Sequence, residues 1–197
     1  MKHSFLLDVV AAAVIASACT TPNSASTTAV DEKTLGETRA VAGKLVTQLG
    51  GRLKAEITAN GPATAVDVCK KEAPEIAAKL SQETGWRVGR VGTRVRNMLN
   101  SPNAWQQAAL DEFAKRMAAG EKPDGMESWK VVQEGGKPTL LYAKAIAVQP
   151  VCLTCHGGAD YIPDEVKTRL KADYPNDQAV GYSAGELRGA VVIARPL

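Results

Sequence analysis

Cys152-Leu153-Thr154-Cys155-His156 gathers the most reactive side chains of the sequence into one turn's length. Two thiols separated by two residues can reach the two vinyl groups of one porphyrin and form thioethers, while the residue that follows presents its imidazole to the iron; C-x-x-C-H is the attachment signature of haem c. A redox dithiol of the thioredoxin kind would stand at the start of a long helix after a buried strand, a start that Gly157-Gly158 opposes. A zinc site needs more ligands than the sequence provides, since it holds four cysteines and two histidines in all, the other histidine being His3. The expectation is therefore one covalently bound haem c, with Cys152 and Cys155 as tethers and His156 as proximal ligand.

With no histidine left for the distal side, bis-His ligation is excluded by counting. The candidates are Cys69, Met98, Met117, Met126, a lysine, or an open position. Thioether ligation raises the potential, thiolate pushes electron density onto the iron, and an open site admits small gases. Cys69 lies on the apolar stripe of a helical pattern, where a thiol serves either as ligand or as a small buried hydrophobe. Arg90, Arg94 and Arg96 alternate with apolar residues and fall on one face of a strand pattern over 86–97. They form either a set of guanidinium forks for the haem propionates or a solvated basic edge.

The elements that position these residues follow from periodicity. Leu35, Val41, Leu45, Val46, Leu49, Leu53 and Ile57 recur at helical spacing over 31–59, where Gly50-Gly51 threatens a break at about 1 kcal/mol per glycine. A second helix spans 63–82, kinked or restarted at Pro74, and a third spans 104–119. Residues 129–132 and 139–148 flank Gly135-Gly136 as a hairpin; a short helix near 164–172 and a strand over 187–194 complete an α+β chain. A four-helix bundle of the cytochrome c′ kind is the structural rival, opposed by the strand patterns.

Composition bounds the rest. The chain has 197 residues, 45% hydrophobic and 23% charged, with a formal charge of +3, too small and scattered for a nucleic-acid binder. Residues 1–18 read as a signal peptide, with a positive start and a short apolar stretch ending Ala16-Ser17-Ala18. Cys19 then stands at the lipidation position of bacterial lipoproteins, and 19–30 form a polar tether ahead of a domain at 31–197. Thr20 lacks the aspartate of inner-membrane retention, so the expected location is the periplasmic side of the envelope, lipid-anchored to the outer membrane rather than the inner.

Five pieces of the chain, in order, resemble a known family. They are Val66-Asp67-Val68-Cys69-Lys70-Lys71-Glu72-Ala73-Pro74-Glu75-Ile76-Ala77, Val88-Gly89-Arg90, Arg94-Val95-Arg96-Asn97, Pro150-Val151-Cys152-Leu153-Thr154-Cys155-His156-Gly157 and Gly181-Tyr182-Ser183-Ala184-Gly185-Glu186-Leu187-Arg188-Gly189-Ala190. The resemblance is to bacterial single-haem c-type domains with a PAS-like fold, long catalogued as a domain of unknown function and also found as sensor modules. It implies N-terminal helices followed by a PAS-like antiparallel sheet, Cys69 as the axial ligand opposite His156, and a role for at least one of the three arginines. The expected function is a redox or diatomic-gas sensor, responding to nitric oxide or carbon monoxide and passing its output to an envelope partner. The alternative is an electron-transfer lipoprotein. No acid/base or nucleophile constellation surrounds the motif, so no enzyme is expected.

Overall fold

A computed structural model describes residues 30–197. The chain forms a four-stranded antiparallel sheet with helices on both faces, an α+β arrangement in three layers. In chain order the elements are α1 (Glu32–Asn60), α2 (Ala65–Asp67), a π-helical segment (Val68–Glu72), α3 (Ala73–Thr84), β1 (Arg87–Gly92), α4 (Ala104–Ala118), β2 (Glu127–Glu134), β3 (Lys137–Ala147), α5 (Leu153–His156), α6 (Asp164–Asp173) and β4 (Leu187–Pro196). The sheet runs β1-β4-β3-β2, so the C-terminal strand is inserted between β1 and β3.

Each face of the sheet buries one apolar set. Leu35, Val41, Ala42 and Leu45 of α1, with Leu80 of α3, pack on Leu140, Tyr142, Val191 and Ile193. Leu110 and Phe113 of α4 pack on Val91, Ala143, Ala190 and Val192 from the other side. α1 is capped by Asp31, whose carboxylate accepts from the Thr34 N–H at 2.7 Å. It runs unbroken through Gly50-Gly51, and its buried residues all lie in its first half. The second half projects past the sheet, tied back by Arg52, which bridges Glu56 and Glu72.

One expectation changes. The strand over 86–97 ends at Gly92: the Thr93 N–H still donates to the Arg188 carbonyl of β4, but the Thr93 hydroxyl hydrogen-bonds Tyr182, the Arg94 N–H donates to the same Tyr182 hydroxyl, and regular pairing stops. Helix 63–82 restarts at Pro74 as expected, the proline standing in the first turn of α3. The turn ahead of it widens into the π segment, with the Ala73 N–H donating to the Val68 carbonyl five residues back. A proline lacks the N–H for the bond four residues back and its ring crowds that carbonyl, and the wide turn relieves both. The hairpin closes on Gly135-Gly136 alone, with φ of 58° and 79°, as a two-residue turn of positive φ demands.

Candidate functional site

A cavity of about 440 Å³ opens at the end of the sandwich where α1 overhangs the sheet, within the size range of cofactor pockets. Leu49 and Leu53 of α1, Cys69 of the π segment, Arg90 of β1, Arg188 of β4 and Cys152, Cys155 and His156 all line it. A second hollow, about 500 Å³, lies between α3, β1 and residues 97–106, and no cysteine or histidine lines that one. The protein thus brings both thiols of the motif, its histidine and the distant Cys69 to one space.

The motif occupies a 3-10 turn, Pro150–Cys152, followed by the single turn of α5. The His156 Nδ1 lies 2.6 Å from the Ala179 carbonyl oxygen, which can only accept, so Nδ1 carries the proton and Nε2 keeps its lone pair. The ring stands edge-on to Tyr182, with centroids 6.2 Å apart and planes at 86°. Burial, and then the neighbouring Arg188 and Arg96, hold the imidazole well below its ordinary pKa, neutral and ready to coordinate. Burial acts oppositely on the thiols, raising Cys152 and pushing Cys155 up to about 11. A redox dithiol needs a lowered pKa, so the alternative of a thioredoxin-like pair loses its electrostatic basis.

Gly157 closes the motif's own turn. A Cβ there would meet the Leu153 carbonyl oxygen at 2.6 Å and the Tyr161 Cβ at 3.0 Å, so glycine is needed against the chain's own turn. Gly158 has open space around it.

The arginines separate. Arg96 leaves the strand and is buried, bonding Asp177 at 2.9 Å, the Cys155 carbonyl at 2.6 Å and the Ala179 carbonyl at 3.3 Å. It clamps the motif to the loop that carries the acceptor of His156. Arg94 lies over the Tyr182 ring at 3.7 Å and pairs with Glu186 at the surface. Arg90 remains on β1 and donates to the Cys69 carbonyl at 3.2 Å. Sequence periodicity missed Arg188, whose guanidinium reaches the cavity and donates to the Arg94 carbonyl at 3.3 Å. The available signal was its place as the charge that opens the apolar run Leu187–Ala194.

The rival methionines lie away from the cavity, whereas Lys144 lines it. Met98 is 73% exposed, Met126 is buried beneath α4, and Met117 packs against the same core. Among the described residues no cluster of three or more His, Cys, Asp or Glu is set to hold a bare ion. The donor set instead fits a group that brings its own equatorial ligands: two tethering thiols, one oriented imidazole, a facing thiol, an apolar wall and guanidinium groups at the rim. No helix among the described residues is long and apolar enough to cross a membrane. The signal peptide, Cys19 and the tether lie outside the described residues, except Val30.

Comparison with known proteins gives a family and a structural likeness. A family model described as Tll0287-like matches residues 10–196. Among solved structures the chain is similar to the cyanobacterial heme-protein Tll0287, with 25% identity, a TM-score of 0.64, and coverage of 85% of this chain and 97% of that one. No curated protein matches.

Proposed function

The chain belongs to the Tll0287-like family, and from that premise we propose that it is a single-haem c-type protein in which Cys152 and Cys155 tether the haem and His156 and Cys69 face its iron. Haem, when bound, supplies an iron that changes oxidation state and exchanges an axial ligand. The chain's part is to hold one ligand firmly and the other loosely. His156 is fixed by Ala179 and needs to lose no proton to coordinate. Cys69 must give one up, and it rides on a π segment, a local geometry frequent at functional sites.

The function best supported is redox or diatomic-gas sensing, in which Cys69 leaves the site when the iron is reduced or a gas takes its place. The observation that carries it is the attachment of the Cys69 segment: Lys70 pairs with Asp173 of α6, and Arg169 of α6 pairs with Asp67 just ahead of the segment, through partly exposed contacts that can rearrange. Movement of the segment therefore reaches α6 and the surface available to an envelope partner. Electron transfer is the second reading, favoured by Val151, 41% exposed beside Cys152, which brings the tethered edge close to solvent. Export, and anchoring through Cys19 on the periplasmic side, belong to the same proposal, resting on the sequence of residues 1–19.

A pyridine haemochrome spectrum of the exported protein tests attachment and is expected to show two thioethers; its absence would falsify the haem reading. A spectroscopic redox titration then separates the functions. A low potential with ligand loss on reduction supports sensing, whereas a high potential with an unchanged six-coordinate spectrum supports electron transfer. Cys69→Ala should alter the oxidised Soret and charge-transfer bands; unchanged bands would remove Cys69 from the iron.

A further inference from the structure

Every arginine of residues 30–197 except Arg90 and Arg188 pairs with a carboxylate: Arg39, Arg52, Arg87, Arg94, Arg96, Arg116, Arg169 and Arg195 all do. Arg90, Arg94, Arg96 and Arg188 all line the same cavity, but Arg94 and Arg96 do so with their charge already answered by Glu186 and Asp177, whereas Arg90 and Arg188 have no carboxylate partner. Leaving a guanidinium in a low-dielectric setting without a counter-ion is costly, and here Arg188 also has the like charges of Arg90 and Arg96 beside it. Each of the two spends only one recorded hydrogen bond, to a backbone carbonyl, out of five N–H groups. The site therefore holds two guanidinium groups without carboxylate partners, in a lining that is otherwise mostly apolar and also includes Lys144 and Asp124.

We propose that Arg90 and Arg188 form a carboxylate clamp that takes the two propionates of the haem, one guanidinium to each, and that Arg94 and Arg96 take no part in it. The clamp rests on the haem reading and specifies it further. An amphiphile with a flat apolar body and two carboxylates on one edge is the ligand that this distribution of charge requires, and guanidinium forks match carboxylates two oxygens at a time. Gly92 belongs to the arrangement. A Cβ there would stand 2.9 Å from the Arg188 Nη1 and 3.0 Å from the Arg94 carbonyl oxygen, so the guanidinium folds over the strand end only because the residue beneath it has no side chain.

The test uses the haem-loaded full chain, with resonance Raman of the propionate bending modes and the reduction potential as readouts. Arg90→Gln and Arg188→Gln should each shift one propionate band and lower the potential, since an uncompensated carboxylate favours the ferric state. Arg94→Gln should leave the bands in place. Arg188→Lys keeps the charge while losing the two-pronged contact, so it should shift the band with a smaller fall in potential, and it serves where the glutamine variant does not fold. Bands unmoved in Arg90→Gln and in Arg188→Lys would overturn the clamp, as would a shift confined to Arg94→Gln. A wild-type protein with no haemochrome spectrum would instead overturn the haem reading and the clamp with it, whereas attached haem with unmoved bands would leave the haem reading standing and remove the clamp alone.

Discussion

The cavity has two walls of different construction. The His156 wall is knitted from buried contacts: the imidazole to Ala179, Arg96 to Asp177 with side chains 7% and 12% exposed, and Gly157 closed onto its own turn. The Cys69 wall is a widened helical turn fastened by ion pairs open to solvent, such as Lys70 with Asp173, where the lysine is 38% exposed. Buried pairs are strongly destabilising to break, whereas exposed ones contribute little and yield to salt. One wall is built to keep its side chain in place, the other to let its side chain move.

That contrast can be broken experimentally. Arg96→Ala should cost about 3–5 kcal/mol, because it strands the buried Asp177 and frees two carbonyls. Urea midpoints measure this, and a loss no larger than that of a Cys69-wall variant would erase the difference between the walls. Acidification should act next. The folded imidazole of His156 resists protonation while the unfolded one accepts it near its ordinary pKa of 6.5, so the unfolded state binds more protons as pH falls below that value. The stability is fully present above pH 6.5 and drains away at up to about 1.4 kcal/mol per pH unit until the folded pKa is reached. At several pH values, urea titrations of the haem-free protein, in which His156 carries no metal, should show this slope in the wild-type sequence and lose it in His156→Gln.

Gly157→Ala should cost about 1–3 kcal/mol by forcing the turn apart, read from the same midpoints. Lys70→Ala should be the mildest, at about 0.2–1 kcal/mol and smaller still in high salt. A Lys70 effect that is large and indifferent to salt would show the Cys69 wall to be as rigid as its counterpart.

The sequence disclosed these walls unequally. C-x-x-C-H states its own chemistry, because the spacing of thiols and imidazole is local, and the apolar periods of α1, α4 and β4 place those elements to within a few residues. Arg94 and Arg96 continue the alternation past Gly92, but regular pairing with β4 ends there, where the Thr93 hydroxyl and the Arg94 N–H turn to Tyr182, a residue remote in sequence. Arg188 escaped notice because its significance is the lack of a carboxylate partner, a property of the assembled rim. Met98 looked like a ligand by element type and proved to be exposed. Pro74 held a legible signal of another kind, since a proline inside a helical period must be accommodated by a break or by a wider turn.

That wider turn makes the number of residues as important as their kind. A π turn carries one residue more than the α turn it replaces, and each residue of an α-helix advances the chain by about 100°. Deleting Lys71 would let Val66–Ile76 run as a plain helix with no change to the apolar composition of the stripe. An α turn closes the same circle as the π turn with one residue fewer, so α2 and α3 would keep their faces while Cys69, inside the widened turn, would lose its present position. The thiol's position is thus recorded as a count along the chain, and a single missing codon would erase it.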